Sequence, residues 1–263
     1  MQNIRDYRRQ LVSMGQASPL FVGEETASML SQILRNEGRD KISVLDVGCG
    51  SGIQMEVIQK TLRPHLKRTV GIDWSPATVQ YHKSTNIFDE VLHTSASRLP
   101  FGDKEFDVAI SLECLEHLYS TDVTRAINEL LRVSSWVVIT TPLPEHVINH
   151  NFLYSESVSA IIDPIPLSTH DFVCLESAVH KSTIFPDSMI EAGFNFHENR
   201  YNHGMYFGRS NRVVADRIAH VSIPPTELSD LSLKWNYVHL LAQSANLISR
   251  IRSHPLFRPK RSS

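Results

Sequence analysis

Val44-Leu45-Asp46-Val47-Gly48-Cys49-Gly50-Ser51-Gly52 is the stretch whose reading decides the fold of this chain. A β-prone apolar run, Ile42 to Val47, ends in three glycines at alternate positions, and helix-compatible sequence from Ile53 to Thr61 follows at once. That pattern predicts a strand, a tight turn, and a helix whose N-terminus points back over the strand end. Glycine suits such a turn because it tolerates positive φ and lets a ligand come close to the backbone. The N–H groups at the helix start add a local positive field for an anionic group. The spacing is Gly-x-Gly-x-Gly, not the Gly-x-Gly-x-x-Gly of dinucleotide pyrophosphate sites, which weighs against a nicotinamide-linked oxidoreductase. Asp46, just ahead of the first glycine, sets a carboxylate beside bare backbone. One acid next to free N–H groups suits a ligand that carries both an ammonium and a carboxylate, such as an amino-acid moiety.

A second acid follows 21 residues after Gly52, where the strand predicted from Arg68 to Ile72 ends in Asp73. A carboxylate there can accept both hydroxyls of a ribose, the role an acid plays at that distance in nucleotide-binding βαβ units. Trp74-Ser75-Pro76 then reads as a turn, with Ser75 as N-cap and Pro76 in the first position of a helix from Ala77 to Lys83. Further strands are expected near Glu90 to Thr94, at Phe106 to Ser111 and at Trp136 to Thr140, with an amphipathic helix from Asp122 to Arg132. Ser182 to Ala192 reads as a helix, and Phe194 to Arg209 as a hairpin turning at Asn202-His203-Gly204.

The glycine stretch, then Gly71-Ile72-Asp73, then Leu99-Pro100-Phe101 with Phe106-Asp107-Val108, and finally Leu115-Glu116-His117 resemble class I S-adenosylmethionine-dependent methyltransferases in order and spacing. The closest flavour is the small-molecule branch (methyltransferase type 11-like), and the likeness covers roughly residues 40 to 142. The resemblance implies an α/β fold: a Rossmann-like seven-stranded, mostly parallel sheet with an antiparallel final strand and helices on both faces. It implies S-adenosyl-L-methionine as cofactor, held by Asp46, Gly48, Cys49 and Gly50 at the turn, Asp73 and Trp74 after the second strand, Ser95 and Ala96 after the third, and Ser111 and Leu112 at the end of the fourth. Family members usually carry an acid at the position of Ser95 to hold the adenine amino group; here a hydroxyl must accept without charge assistance.

Ser111 to His117 faces the place where the methyl group would be delivered. His117 is the local candidate for a general base, because an imidazole titrates near neutral pH. Its competing role is to orient the following helix and touch only cofactor. No Asn/Asp-Pro-Pro-Tyr/Phe tetrad is present, which argues against exocyclic or amide nitrogen acceptors. No acidic pair suggesting a divalent metal is recognised either, so no metal site is expected. His146 and His150, at i and i+4, lack a clear third ligand.

A formal net charge of −2 gives no general attraction to nucleic acid. Three scattered cysteines, Cys49, Cys114 and Cys174, fit a reducing compartment, and without a signal peptide or membrane span in view the expectation is cytoplasmic. Three parts are expected: an N-terminal helical extension (1–40) with Tyr7 in a possible lid, a methyltransferase domain (41–210), and a C-terminal helical extension with a basic tail (211–263). Residues 142–181, rich in proline, aromatic residues and histidine, read as an insert covering the substrate. The stripe of Trp235, Val238, Leu241, Ala242, Ala245 and Ile248 reads as a docked helix, with contact to a membrane surface as the alternative. The function expected is methyl transfer to a small-molecule acceptor; the alternative is a binding or partner protein that keeps the fold with weak or no turnover.

Overall fold

The computed structural model describes residues 18–144, 180–198 and 203–222. Helix α1 (Ser18–Glu37) precedes β1 (Ile42–Val47), α2 (Ile53–Leu62), β2 (Leu66–Asp73), α3 (Pro76–His82) and β3 (Glu90–His93). Then come β4 (Phe106–Leu112), a 3-10 turn (Leu115–His117), α4 (Ser120–Val133) and β5 (Ser134–Pro142). The last described elements are β6 (Ser182–Ile184), α5 (Pro186–Glu191), β7 (Asn195–Glu198), β8 (His203–Arg209) and β9 (His220–Ser222).

The main sheet has seven strands in the order β3-β2-β1-β4-β5-β8-β7. Strands β1 to β5 pair in parallel, while β8 runs antiparallel to both β5 and β7. This is the sheet expected from the sequence. Its central strands are buried on both faces, so they read as continuous apolar runs instead of alternating ones. On one face Leu45, Ala109, Val137 and Ile139 pack with Val123, Ala126, Ile127 and Leu130 of α4. On the other, Val44, Val108, Ile110 and Val138 meet Val22, Leu30 and Ile33 of α1 and Met55 and Ile58 of α2. The α4 residues recur at i, i+3, i+4 and i+7, which gives one apolar stripe.

The strand order reverses between β1 and β4. In an open α/β sheet, that reversal opens a crevice outside the carboxyl ends of the two strands. Val47 and Leu112 end those strands, so the glycine turn and the loop before α4 face each other across the opening.

Two stretches differ from expectation. Residues 182–184 form a strand paired with β9, and the helix begins only at Pro186. Proline disfavours helical φ/ψ in the residue before it, and Phe185 is accordingly extended (φ −88°, ψ 127°). The domain also runs past residue 210: Val213, Ala215 and Ile218 are buried in the core, and β9 closes on β6. The Tyr7 lid, most of the 142–181 insert with His146 and His150, and the helix and basic tail expected beyond residue 222 lie outside the described residues. Among the described residues, no helix is long and apolar enough to cross a membrane.

Candidate active site

All three turn glycines have positive φ: 80° at Gly48, 50° at Gly50 and 73° at Gly52. The backbone N–H groups of Gly48 and Cys49 both donate to the Ile72 carbonyl, at 2.9 and 3.0 Å, which ties the turn to β2. A Cβ on Gly48 would overlap Cys114 Sγ and lie 2.8 Å from Cys114 Cβ. A Cβ on Gly50 would meet nothing nearer than the Gly48 carbonyl at 3.9 Å. The inner glycine is therefore required by packing, and the middle one leaves its face open.

Asp73 is buried, with 7% exposure, and its carboxylate is held by backbone donors: Gly50 N–H to Oδ2 at 3.0 Å and Ser75 N–H to Oδ1 at 2.8 Å. Burial raises its pKa, and those two bonds oppose the rise. Each oxygen keeps a second lone pair for another donor. Asp46 is 4% exposed, and burial, helped by the nearby Asp73 charge, pushes its carboxyl up to about 7. Ser111 Oγ–H donates to the Val47 carbonyl at 3.2 Å and so joins the ends of β1 and β4. Leu112 and Cys49 are buried; burial pushes the Cys49 thiol up and keeps it protonated.

After β2, Ser75 accepts from Thr78 N–H, and Pro76 opens α3 as expected. Trp74 is 53% exposed, and its carbonyl bonds His93 Nε2 at 2.8 Å. Ser95 is exposed, Ala96 is buried, and the hydroxyls of Ser95 and Ser97 lie 2.9 Å apart. The loop that follows is fixed to α4, since Arg132 donates to the carbonyls of Leu99 and Phe101 while Glu129 accepts from Leu99 N–H.

Sequence reasoning missed His82. It is buried at the end of α3, and its Nε2 donates to the Gly50 carbonyl at 2.8 Å. A Cβ on Gly52 would come within 2.8 Å of the same ring. His82 thus clamps the turn from below, a long-range contact with no local signature.

The opposite side of the crevice carries the second group missed. Glu113 has φ +56°, uncommon for a residue with a Cβ, and its N–H bonds both the carbonyl and the hydroxyl of Thr140. Glu113 Oε2 lies 2.8 Å from His203 Nε2. Glu116 is only 2% exposed, its Oε1 is 3.9 Å from His117 Nε2, and its carbonyl accepts from Lys181 N–H at 2.7 Å. The rings of His117 and His180 are 5.0 Å apart. The Glu-x-x-Glu-His spacing of residues 113–117 was visible in the sequence; the return of His180 and Lys181 onto it was not.

Residues 45–135 match the family model for a methyltransferase domain. A probable S-adenosylmethionine-dependent methyltransferase of Mycolicibacterium smegmatis is 31% identical over 99 residues, 38% of this chain and 35% of that protein. An uncharacterised protein of Methanocaldococcus jannaschii is 32% identical over 111 residues, 41% of this chain and 40% of that one. The match thus spans between a third and two-fifths of the length of these curated relatives. Among solved structures, a plantazolicin methyltransferase in complex with SAH is similar at a TM-score of 0.47 and 15% identity, over 95% of this chain and 85% of that one. A putative methyltransferase in complex with the Haloferax volcanii Trm112 activator is similar at 0.48 and 16%, over 77% and 94%. Residues 45–135 are thus similar to a methyltransferase domain, and the Mycolicibacterium smegmatis protein that shares part of this chain's sequence is named as a probable S-adenosylmethionine-dependent methyltransferase.

Proposed function

We propose that this protein transfers the methyl group of S-adenosyl-L-methionine to a small-molecule acceptor held in the crevice between the glycine turn and the loop after β4. The observation that carries this reading is the Asp73 carboxylate, buried and fixed by Gly50 and Ser75 N–H with lone pairs to spare. A ribose diol fits that acceptor set. The open face of Gly50 fits a ligand carboxylate lying on the backbone, and Asp46 fits the neighbouring ammonium. Gly48 and Cys49 hold the turn to β2 so that this face is presented. Trp74 offers an exposed ring beside Asp73, and Ser95 offers its hydroxyl next to the buried methyl of Ala96 for a purine ring. Ser111 and Leu112 form the floor where β1 meets β4.

Bound there, the cofactor supplies an electrophilic methyl group on a sulfonium. The chain's own task is to position, since an in-line displacement gains most from holding the two reactants at the right approach. We assign Glu113, Glu116 and His117 to the acceptor side, because they follow β4 directly on the far wall of the crevice.

Asp46 yields a test with a definite sign. Its pKa of about 7 leaves it largely protonated in slightly acidic solution. An incoming ammonium favours the carboxylate, so ligand binding releases a proton below that pKa and none well above it. Titrating S-adenosylhomocysteine, which keeps the ammonium, at about pH 6 should give heats that depend on the buffer's ionisation enthalpy. Affinity should fall by up to about tenfold per pH unit below the pKa, and both effects should vanish in Asp46→Asn. Buffer-independent heats at low pH would remove Asp46 from the ammonium site.

A further inference from the structure

The far wall of the crevice concentrates more buried charge than a methyl-transfer site needs for positioning. One ligand atom from each of Glu116, His117 and His180 lies within 4.8 Å of the others. Glu116 Oε2 and Glu113 Oε1 are both buried and have no hydrogen-bond partner among the described residues. A buried carboxylate oxygen left without a donor is costly unless a cation or a proton compensates it. Two buried carboxylate oxygens without donors beside two imidazoles are what a pocket that takes a cation presents.

We propose that Glu116, His117 and His180 bind one divalent transition-metal ion, and that this ion takes the oxygen of the methyl acceptor as a further ligand. The metal-binding part stands on these residues alone, whereas the acceptor part rests on the function proposed above. Two imidazoles and a carboxylate form a donor set between hard and soft, suited to Mn²⁺, Fe²⁺, Co²⁺ or Zn²⁺ more than to ions that prefer oxygen alone. Three protein ligands leave a position open, the mark of a site that acts on a substrate. Glu113 lies beside the set as a second acid. His203 holds its Oε2 at 2.8 Å, and the Thr140 carbonyl and hydroxyl hold its left-handed backbone. Support of that kind around a ligand cluster orients it and tunes the ion. The chain pins the third ligand as well: Lys181 N–H to the Glu116 carbonyl and Ser182 Oγ–H to the Leu115 carbonyl bring His180 to the loop.

The acceptor class follows from the ion. A coordinated hydroxyl is more acidic than a free one, so the substrate is an alcohol or phenol methylated on oxygen. Its O–H proton passes to Glu113 Oε1, the oxygen's electron pair forms the new O–CH₃ bond, and the S–CH₃ bond breaks with its pair going to sulfur as a neutral thioether. No net redox change occurs. His117 then serves as a metal ligand, in place of the general base expected from the sequence.

The test uses the full chain without a histidine tag, titrated with Co²⁺ and followed by calorimetry and by the visible d–d absorption of the bound ion. One equivalent should bind. Glu116→Gln, which keeps the shape, and His117→Ala should each weaken binding at least about 10–100-fold, while His65→Ala, remote from the site, should not. X-ray absorption of the wild-type Co²⁺ complex should show two imidazole ligands, a readout that needs no variant to fold. S-adenosylhomocysteine binding is measured on the same samples. If it binds while Co²⁺ fails to bind, or binds equally well to Glu116→Gln, or shows no imidazole ligation, the metal site is overturned and the methyltransferase reading stands. Co²⁺ binding as described without S-adenosylhomocysteine binding would overturn the proposed function and leave the metal site.

Discussion

Gly48→Ala is expected to destabilise the domain by about 2–5 kcal/mol and to abolish cofactor binding. Two independent costs add. A left-handed conformation costs an L-residue about 1–2 kcal/mol, and Gly48 sits at φ 80°. The new methyl would also overlap Cys114 Sγ and press on its Cβ at 2.8 Å, and overpacking a tight site costs about 1–3 kcal/mol. Gly50→Ala separates the two. It carries the conformational cost alone, because a Cβ there is 3.9 Å from its nearest neighbour. Urea unfolding of both variants should therefore place Gly50→Ala closer to wild type, while ligand titration should still find it impaired, since its methyl would stand on the open face. Equal destabilisation of the two would mean that the Cys114 contact does not set the turn.

Asp73→Ala should weaken S-adenosylhomocysteine binding by about 1.5–3 kcal/mol for the lost charged hydrogen bonds to ribose, roughly 10–150-fold. The loss has a second source. The same carboxylate accepts the N–H groups of Gly50 and Ser75, at 3.0 and 2.8 Å, so its removal leaves two backbone donors without an acceptor and loosens the turn before any ligand arrives. Asp73→Asn keeps an acceptor oxygen and should fall between wild type and alanine. Calorimetry with a matched circular-dichroism melt separates affinity from folding. Unchanged affinity in Asp73→Ala would withdraw the ribose assignment.

What was legible in the sequence is what local chemistry decides. The strand-turn-helix around Gly48, the Ser75 cap and the apolar β4 and β5 each announce themselves within ten residues or so, and the structure has them in place. Hydrophobic periodicity carried the α4 stripe as well. The short β6 escaped because its partner, β9, arrives from almost forty residues away and each strand has only three residues. His82 escaped because its target is a backbone carbonyl in another element. The Glu113, Glu116 and His117 cluster was half visible. Its spacing stood in the sequence, but its meaning depended on His180 returning to His117 and on burial stripping Glu116 of water.

The central claim is that the glycine turn and Asp73 form a site for S-adenosylmethionine. The most direct test is a calorimetric titration of the purified protein with S-adenosylhomocysteine, with NAD as the control. Saturable one-to-one binding of S-adenosylhomocysteine and no heat from NAD is the predicted result. Binding of NAD with none of S-adenosylhomocysteine would contradict it.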